Sequence, residues 1–391
     1  MERISKLEQE YVNEVLKNAF QTSKNSIYNN KLETAFSQLF GSKFAIGHIN
    51  GTATLHTALA ALDVKAGDEV IVPPLTMSST ALAVLQNNSI PVFADVDINT
   101  FNIDPKSIIE KITEKTKAII TVALYGLSPE YDEILEICKN NDIALIEDNA
   151  ECFLSTYRDK YVGVFGDFAS FSFQASKHLT AGEGGMLLCN DENLANNARR
   201  FSSLGYAGVS AKQGKITRED IQDPNYSRHI SVGFNYRMSE LCAAVVLGQL
   251  ERANELVEVR MKTAEIYKEA IKGSHLVTLQ HTPDYCINSY WSFSMILNTD
   301  NPEIDWYSFR KLHKANGGDG YYAAWKLSYF EPLFLENIQN MKGVWQKYEK
   351  GLCPVSEFLQ PRMIQLKTNY WDLDDAKKQA DILHQTINQF K

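Results

Sequence analysis

Short apolar runs alternate with helical patterns through the first half of the chain, and this alternation constrains the fold more than any other feature. Helical patterns begin at Thr52 and Ser78 and extend over Tyr131–Lys139. The strand-like runs around them are Phe44–Gly47, Glu69–Val72, Pro91–Val96, Ala118–Val122 and Ile143–Ile146. Strands that alternate with helices predict βαβ units and a mainly parallel sheet covered on both faces. Ligands of such sheets bind beyond the carboxyl ends of the strands.

A second, smaller domain is predicted after this region. The chain has 391 residues, of which 44% are hydrophobic, and this is enough for one large core and a smaller one. Ser239–Lys272 has the apolar spacing of a long helix or a helix pair, strand-like Tyr290–Leu297 follows, and Leu373–Phe390 is helical. We therefore predict an N-terminal helix and a large α/β domain over residues 1–250, and a smaller α+β domain over residues 251–391.

Composition argues against several classes of function. The formal net charge of −9 and the pI near 5.5, with no block of like charges, exclude a general nucleic-acid surface. No apolar run approaches the roughly 18 residues that a membrane span needs. Six cysteines show no Cys-x-x-Cys pair and no companion histidine spacing, so we expect no metal site and no disulfide framework. Buried thiols in a reducing, cytoplasmic compartment are the expectation.

Lys177 is the first candidate for chemistry. It lies between the strand-like run Phe168–Phe173 and the glycine-rich turn Gly182–Gly185. Most lysines lie on solvated surfaces, but a lysine amine can also form a Schiff base with a carbonyl cofactor. The amine becomes useful when a phosphate cradle, an acid for a pyridine nitrogen and a flat apolar wall converge on it, because that set holds pyridoxal 5'-phosphate (PLP).

Other segments of the chain supply these parts. Asn50–Leu55 follows a strand and opens a helix, where free N–H groups favour a phosphate, although a capped turn explains the same residues. Two acids, Glu147 and Asp148, end a strand, and Asp148 can accept the proton of a pyridinium nitrogen or cap the next helix. Glu151 can bond a ring hydroxyl or lie on the surface. Ser172 is near enough in sequence to the lysine to reach the same phosphate.

In this order, the segments resemble the DegT/DnrJ/StrS family of PLP-dependent sugar aminotransferases over nearly the whole chain. The matching stretches are Asn50–Leu55, Gly67–Pro73, Pro91–Asp97, Glu147–Glu151, Gly163–Gly185 and Gly233–Met238. The resemblance implies the aspartate-aminotransferase fold, which is fold type I of PLP-dependent transferases. It also implies that Lys177 carries the cofactor and moves the proton, that Asp148 binds the pyridine nitrogen, and that Glu151 binds the ring hydroxyl. The residues implied to hold the phosphate are Gly51, Thr52, Ala53 and Ser172.

Further residues follow from the same resemblance. Ala150 would flank the cofactor ring, and Met77 stands where the family usually has an aromatic side chain stacked on it. Asn235 would reach the phosphate of the neighbouring subunit, which implies a homodimer with shared active sites. Ala123 replaces a histidine often found after the fourth strand. The segment from Asn316 to Trp325 replaces a common proline-leucine-histidine phrase, so the sequence leaves the substrate undefined.

The resemblance implies that an amino acid such as glutamate converts the cofactor to its pyridoxamine form and that a keto sugar takes the amino group. A nucleotide-linked sugar of polysaccharide or glycan biosynthesis is the favoured acceptor. Tyr321, Tyr322 and Trp325 can stack on a sugar or base, or fill a core. Cations for a diphosphate, which can equally form a solvated face, are Arg199, Arg200, Lys212, Lys215, Arg218, Arg228 and His229.

Three alternatives stay open. The acceptor can be another phosphorylated or acidic ketone. A sugar dehydratase of the same family normally has histidine in place of the lysine, so Lys177 followed by His178 favours the transaminase. A non-catalytic regulatory protein of the same fold would not need Lys177 and Asp148 together.

Overall fold

The computed structural model describes residues 2–18, 20, 26–212, 216–338 and 343–390. Two strands, β6 and β7, are only two residues long and form a small ribbon with β11. The strands are β1 Phe44–His48, β2 Glu69–Val72, β3 Ile90–Phe93, β4 Thr116–Val122, β5 Ala144–Asp148, β6 Thr156–Tyr157, β7 Lys160–Tyr161, β8 Phe168–Ser172, β9 Gly185–Cys189, β10 Val277–Leu279, β11 Cys286–Ile287, β12 Ser292–Leu297 and β13 Met363–Lys367.

Helices flank these strands. None of the helices in the described ranges is both long enough and apolar enough to cross a membrane. The helices are α1 Lys6–Lys17, α2 Ile27–Phe40, α3 Gly51–Ala61, α4 Ser79–Gln86, α5 Pro105–Lys111, α6 Tyr131–Asn141, α7 Glu192–Phe201, α8 Arg218–Gln222, α9 Glu240–Leu250, α10 Ala253–Ile271, α11 Trp306–Ala315, α12 Pro354–Leu359 and α13 Leu373–Asn388. Short 3-10 turns occur at Leu124–Gly126, Ser328–Phe330 and Gln360–Arg362, and a short π-helix covers Leu333–Ile338.

A seven-stranded sheet in the order β1-β9-β8-β5-β4-β2-β3 forms the centre of the protein. Strand β9 runs antiparallel to both of its neighbours, and the other pairs are parallel. Alternate side chains of the central strands enter different cores: Val70 and Ile120 pack on one face, and Ile71 and Ile119 on the other. Burial on both faces explains why these strands are continuous apolar runs in the sequence. The prediction of a mainly parallel, doubly covered sheet is confirmed.

A second, antiparallel sheet in the order β10-β12-β13 belongs to the C-terminal part. Helices α10 and α13 pack against each other beside it, and Phe293 and Leu383 lie in the same core. Not all of the C-terminal part packs there. Tyr329, Phe334 and Tyr348 surround Phe93 of β3 and join the core of the large sheet. The division at residue 250 therefore stays a proposal for how the chain separates into domains.

Glu147 shows how burial fixes the end of β5. Both of its carboxylate oxygens are buried, and they accept backbone N–H groups of Gly163 (2.7 Å), Phe165 (2.7 Å) and Gly166 (2.8 Å). Burial raises the pKa of Glu147, while these hydrogen bonds act to lower it. The side chain thus holds the loop that leads into β8, on the face of the sheet opposite to that of its neighbour Asp148.

We expect Glu147→Gln to lower the free energy of unfolding by about 1–3 kcal/mol, because an amide turns one N–H donor toward backbone donors that then lack an acceptor. Urea unfolding followed by circular dichroism measures the change. Glu133→Gln, an exposed carboxylate on α6, is the matched control and should change stability little. Equal stability of the two variants would show that Glu147 does not hold the loop.

Candidate active site

A cavity of about 910 Å³ opens at the carboxyl ends of the central strands. Val122, Asp148 and Ser172 reach it from the ends of β4, β5 and β8. This is the edge at which parallel α/β sheets bind ligands. Eight of the residues that the sequence proposes for the site line this cavity, namely Gly51, Thr52, Met77, Asp148, Ala150, Glu151, Ser172 and Lys177.

Asp148 points into the cavity, whereas Glu147 points away from it, as the two-residue period of a strand requires. The Asp148 carboxylate is buried and accepts the hydroxyl of Thr80 (2.9 Å) and the backbone N–H of Ala150 (3.2 Å). Burial raises the pKa of Asp148, and the Thr80 hydroxyl, the Ala150 N–H and the charge of Lys177 act to lower it. The carboxylate is thus oriented and can accept a proton or an N–H donor from a ligand.

Lys177 and Glu151 form a pair beside Asp148. The Lys177 Nζ lies 3.3 Å from Glu151 Oε1, and only 13% of the lysine side chain is exposed. Burial raises the pKa of Glu151, and the lysine charge acts to lower it. The backbone N–H of Tyr125 also donates to Glu151 at 3.3 Å, from a left-handed conformation with φ of 61°. Nζ further lies 4.5 Å from the ring centre of Trp291, within cation–π range.

Several donors hold the backbone that carries Lys177. Its carbonyl accepts guanidinium N–H groups of Arg3 (3.0 Å) and Arg260 (3.3 Å). The Ser176 carbonyl accepts Trp291 Nε1 (2.9 Å) and Arg260 (3.4 Å). Arg260 is fully buried, and burial lowers its pKa to about 9. The turn is therefore attached to the N-terminal segment, to α10 and to the start of β12.

The start of α3 forms one end of the cavity. Asn50 caps this helix by accepting the backbone N–H of Ala53 at 2.8 Å, whereas the first N–H groups of a helix have no partner within it. Gly51 lies so close to β8 that a Cβ at this position would lie 2.9 Å from the Cβ of Ser172. Gly51, Thr52 and Ser172 thus leave a small polar recess that suits a phosphate. Ala53 is buried outside the cavity lining. Its N–H already donates to the Asn50 cap.

These groups fit PLP by the chemistry of their donors and acceptors. The recess at α3 offers N–H and hydroxyl donors for a phosphate, Asp148 offers an acceptor for a ring nitrogen, and Lys177 offers an amine for an aldehyde. Met77 is 48% exposed and borders the same space, and Ala150 lies beside Asp148. The roles of the individual residues stay predictions.

Among the described candidates for the cofactor site, Asn235 is the one that is exposed and lies outside the cavity lining. It is exposed, its side-chain oxygen accepts Arg237 Nε at 2.9 Å, and it does not line the cavity of its own chain. Its backbone pairs with Ser203, beside the segment in which Ile49 N–H donates to the Tyr236 carbonyl.

The cations expected to bind a diphosphate lie elsewhere. The prediction is wrong for Arg199, which is buried in an ion pair with Glu33 at 2.7 Å. Lys212 pairs with Glu192 at the surface, and Lys215 lies outside the described residues. None of the remaining candidates lines the cavity of the described chain. These are Arg200, Arg218, Arg228 and His229.

The aromatic candidates divide between core and cavity. Tyr321 is buried in the C-terminal core, so its role there is packing. Tyr322 and Trp325 line the cavity and are 74% and 37% exposed. The stretch Tyr206–Arg228 is polar and mixed in charge, which predicts a long surface loop, yet Ala211 within it packs into the core of the large sheet.

Sequence reasoning missed the residues that reach the site from distant parts of the chain. They share no motif with Lys177, and their hydrogen bonds join positions 68 to 174 residues apart. Trp291 follows a polar stretch and lies directly before β12. A tryptophan at the border of a strand was the sequence signal that could have marked it as a candidate. The missed residues are Arg3, Thr80, Arg260 and Trp291.

Comparison with known proteins agrees with this geometry. The sequence model of the DegT/DnrJ/EryC1/StrS aminotransferase family matches residues 2–371. GDP-perosamine synthase of Escherichia coli O157:H7 is 34% identical over 383 residues, which are 98% of this chain and 95% of that protein. The aminotransferase structure from Psychrobacter cryohalolentis superposes with a TM-score of 0.84 at 27% identity, over 99% of this chain and 96% of that one. Escherichia coli GDP-4-keto-6-deoxy-D-mannose-3-dehydratase, solved with bound hydrated PLP, gives 0.84 at 26% identity, over 98% of each chain.

Proposed function

Because the chain belongs to the DegT/DnrJ/EryC1/StrS aminotransferase family, we propose that it moves an amino group from an amino acid, glutamate first, to a nucleotide-linked keto sugar. It is a PLP-dependent aminotransferase of fold type I. The observation that carries the proposal is the meeting of the Lys177 amine, the Asp148 carboxylate and the start of α3 in one cavity. The product would be an amino sugar for polysaccharide or glycan synthesis.

The side chains divide the work of binding and proton transfer. When bound, PLP supplies an electron-withdrawing ring that stabilises negative charge at the carbon joined to the transferred nitrogen. Asp148, oriented by Thr80 and Ala150, would accept the N–H of the ring nitrogen and keep the ring cationic. Lys177 would hold the cofactor through its amine and, once that amine is free, would carry the proton from one carbon to the other. Glu151, 3.3 Å from Nζ, would keep the amine in reach and bond the ring hydroxyl.

The start of α3 would hold the phosphate. Gly51 and Thr52 would donate backbone N–H groups, and Ser172 would donate its hydroxyl. Ala53 supports this arrangement through its bond to the cap of the helix. Met77 and Ala150 would flank the ring. A thioether gives less contact area than an aromatic ring, so this wall is the least rigid part of the proposed site.

The acceptor to test first is GDP-4-keto-6-deoxy-D-mannose, the sugar in the name of the dehydratase relative. Enzyme loaded as the pyridoxamine form should convert it to the corresponding 4-amino sugar, which mass spectrometry identifies. Loss of the 3-hydroxyl without gain of nitrogen would identify a dehydratase. Turnover of other phosphorylated or acidic ketones alone would overturn the sugar acceptor.

Borohydride should fix the cofactor to the peptide that contains Lys177, because this is the one lysine in the lining of the described cavity. Lys177→Ala should keep the cofactor without a covalent bond and lose turnover. Mass spectrometry of the reduced, digested protein makes the assignment. Attachment to another lysine, or appreciable transamination by Lys177→Ala, would exclude this role.

Asp148→Asn should lower the rate of transamination by about 100-fold or more, because a neutral amide does not keep the ring nitrogen protonated. Cofactor binding should fall less than the rate, since Gly51, Thr52, Ser172 and Lys177 are unchanged. Single-turnover absorbance with L-glutamate measures the rate, and the cofactor content after gel filtration measures binding. Near-normal turnover at full occupancy would leave Asp148 a purely structural role.

A homodimer with shared sites is supported by the surface around Asn235. Three neighbours in the same segment are exposed apolar residues, which favours burial against a second copy. They are Ile230 (55%), Val232 (81%) and Phe234 (40%). Lys177 is also the one basic side chain in the lining of the described cavity, so a partner that adds cations and Asn235 would complete a site for anionic ligands.

Mixing two inactive variants tests this sharing. Subunits with Lys177→Ala and subunits with Asn235→Asp should regenerate activity when they form heterodimers. One of the two sites then receives both intact residues, while the other site carries both substitutions. Aspartate is chosen because its charge would repel the phosphate. Random exchange predicts about a quarter of wild-type activity, since half of the dimers are mixed and each has one intact site of two. If activity does not recover after verified subunit exchange, Asn235 and Lys177 serve the site of their own chain, or Asn235 is only a loop cap.

A cytoplasmic location is part of the same proposal. It rests on six cysteines without a pairing pattern, which suit a reducing compartment.

A further inference from the structure

Three aromatic side chains form a row that reaches the cavity: Trp291 and Trp325 line it, and Tyr125 lies next to Trp291 outside the lining. The rings of buried Tyr125 and half-buried Trp291 lie nearly parallel, with ring centres 6.4 Å apart and 10° between their planes. Trp325 follows at 6.3 Å and 28° from Trp291, and it is 37% exposed. The row begins beside Glu151 and Lys177, and Trp325 lines the same cavity as the lysine amine.

The segment that carries Trp325 is held at several points. Tyr322 and Gln365 exchange backbone hydrogen bonds of 3.1 and 2.9 Å. The Gln365 side chain donates to the Ala323 carbonyl at 2.9 Å, and Gln360 donates to the Ala324 carbonyl at 3.2 Å. Asp319, at the start of the segment, accepts Tyr370 OH at 2.8 Å. Trp325 therefore stands on a braced backbone, so its ring presents a prearranged surface.

The charges of the cavity decide what that surface can bind. The acids in its lining are Asp148, Glu151 and Glu183, and the base among the described lining residues is Lys177. A diphosphate or a dicarboxylate gains little from an apolar indole, because the face of the indole offers no positive charge. A neutral sugar ring does gain, because its C–H groups carry a small positive charge and meet the negative face of the aromatic ring.

We propose that Trp325 is a specificity-determining residue on which the sugar ring of the acceptor stacks. This inference rests on the proposed function and names the sugar ring as the group of the substrate that Trp325 recognises. Because Nζ lies 4.5 Å from the Trp291 centre, and the two tryptophan centres are 6.3 Å apart, the Trp325 centre lies within about 11 Å of Nζ. One sugar ring bridges that gap, while the nucleotide extends beyond the indole toward the opening.

Two half-reactions started from the same PLP-loaded enzyme test the inference. L-glutamate and GDP-perosamine, the amino sugar in the name of the relative, each convert the cofactor to its pyridoxamine form, and the loss of visible absorbance follows both. Trp325→Leu should raise the half-saturating concentration of GDP-perosamine about tenfold or more, because it removes the aromatic face. The dependence on L-glutamate should stay within twofold of wild type.

Trp325→Phe should recover part of the loss, since it restores an aromatic face of smaller area. Trp345, another exposed tryptophan (47%), lies outside the cavity lining, so Trp345→Leu is the control and should change neither half-reaction. Thermal unfolding of all variants checks that the fold is kept. An unchanged GDP-perosamine dependence in Trp325→Leu overturns the inference and leaves the proposed function intact.

Binding to cofactor-free protein gives a readout that does not depend on turnover. By calorimetry, wild type should bind GDP-mannose more tightly than GDP, and Trp325→Leu should lose this preference while binding GDP as before. An equal loss for GDP would assign the indole to the base and overturn stacking on the sugar. If wild type reacts with L-glutamate but not with GDP-perosamine, the GDP-linked acceptor is excluded, and the inference falls with it.

Discussion

The buried guanidinium of Arg260 is the interaction on which the geometry of the site depends. A cation removed from water needs compensation, and Arg260 finds it in backbone carbonyls and one hydroxyl rather than in a carboxylate: no described acid lies within ion-pair distance of it. Its acceptors are Ser176, Lys177, Trp291 and Thr368. One side chain thereby joins the turn that carries Lys177 to two points of the C-terminal sheet. These are the residue before β12 and the residue after β13.

This attachment couples packing to chemistry. Thr368 also donates to the Tyr290 carbonyl at 2.6 Å, so the backbone before β12 is fixed from two directions. That backbone places the Trp291 indole, which binds the Ser176 carbonyl and lies over the lysine amine. Lys177 therefore has few orientations available, and a restricted nucleophile loses less entropy when it reacts. Removing Arg260 would take one of two donors from each of the carbonyls of Ser176, Lys177 and Trp291, so its loss would weaken the attachment of all three at once.

The sequence predicted the parts of the site that follow strands and failed for parts that arrive from elsewhere. Asp148, Ser172 and Lys177 each lie at or just beyond a strand end, and the parallel sheet brings strand ends to one edge. The large sheet was predictable for the same reason, since its strands are buried on both faces and are apolar throughout. Ala53 fits the phosphate motif, but its N–H donates to the side chain of Asn50. A sequence pattern does not show which way that side chain points.

Longer-range contacts explain the other failures. Arg199 had the charge expected for a phosphate ligand, but its partner Glu33 lies 166 residues away and the pair is buried. The aromatic residues near the end of the chain were ambiguous, because adjacent Tyr321 and Tyr322 point into core and cavity respectively. A local pattern reports which face a side chain shares with its neighbours. It does not report which element packs against that face.

The two substrates of a transaminase must use one cavity in turn, and the lining of this cavity comes from two parts of the chain. Asp148, Glu151 and Lys177 lie at or near the strand ends, while Trp291 and Trp325 reach the cavity from the C-terminal part. Trp291 connects the two sets, since its ring centre lies 4.5 Å from the lysine amine. On the proposed roles, a small amino acid needs only the first set, whereas a sugar ring would lie against both. Exchange of the segment from Asp319 to Trp325 should then change the acceptor, while Asp148, Glu151 and Lys177 would keep the chemistry that both half-reactions share.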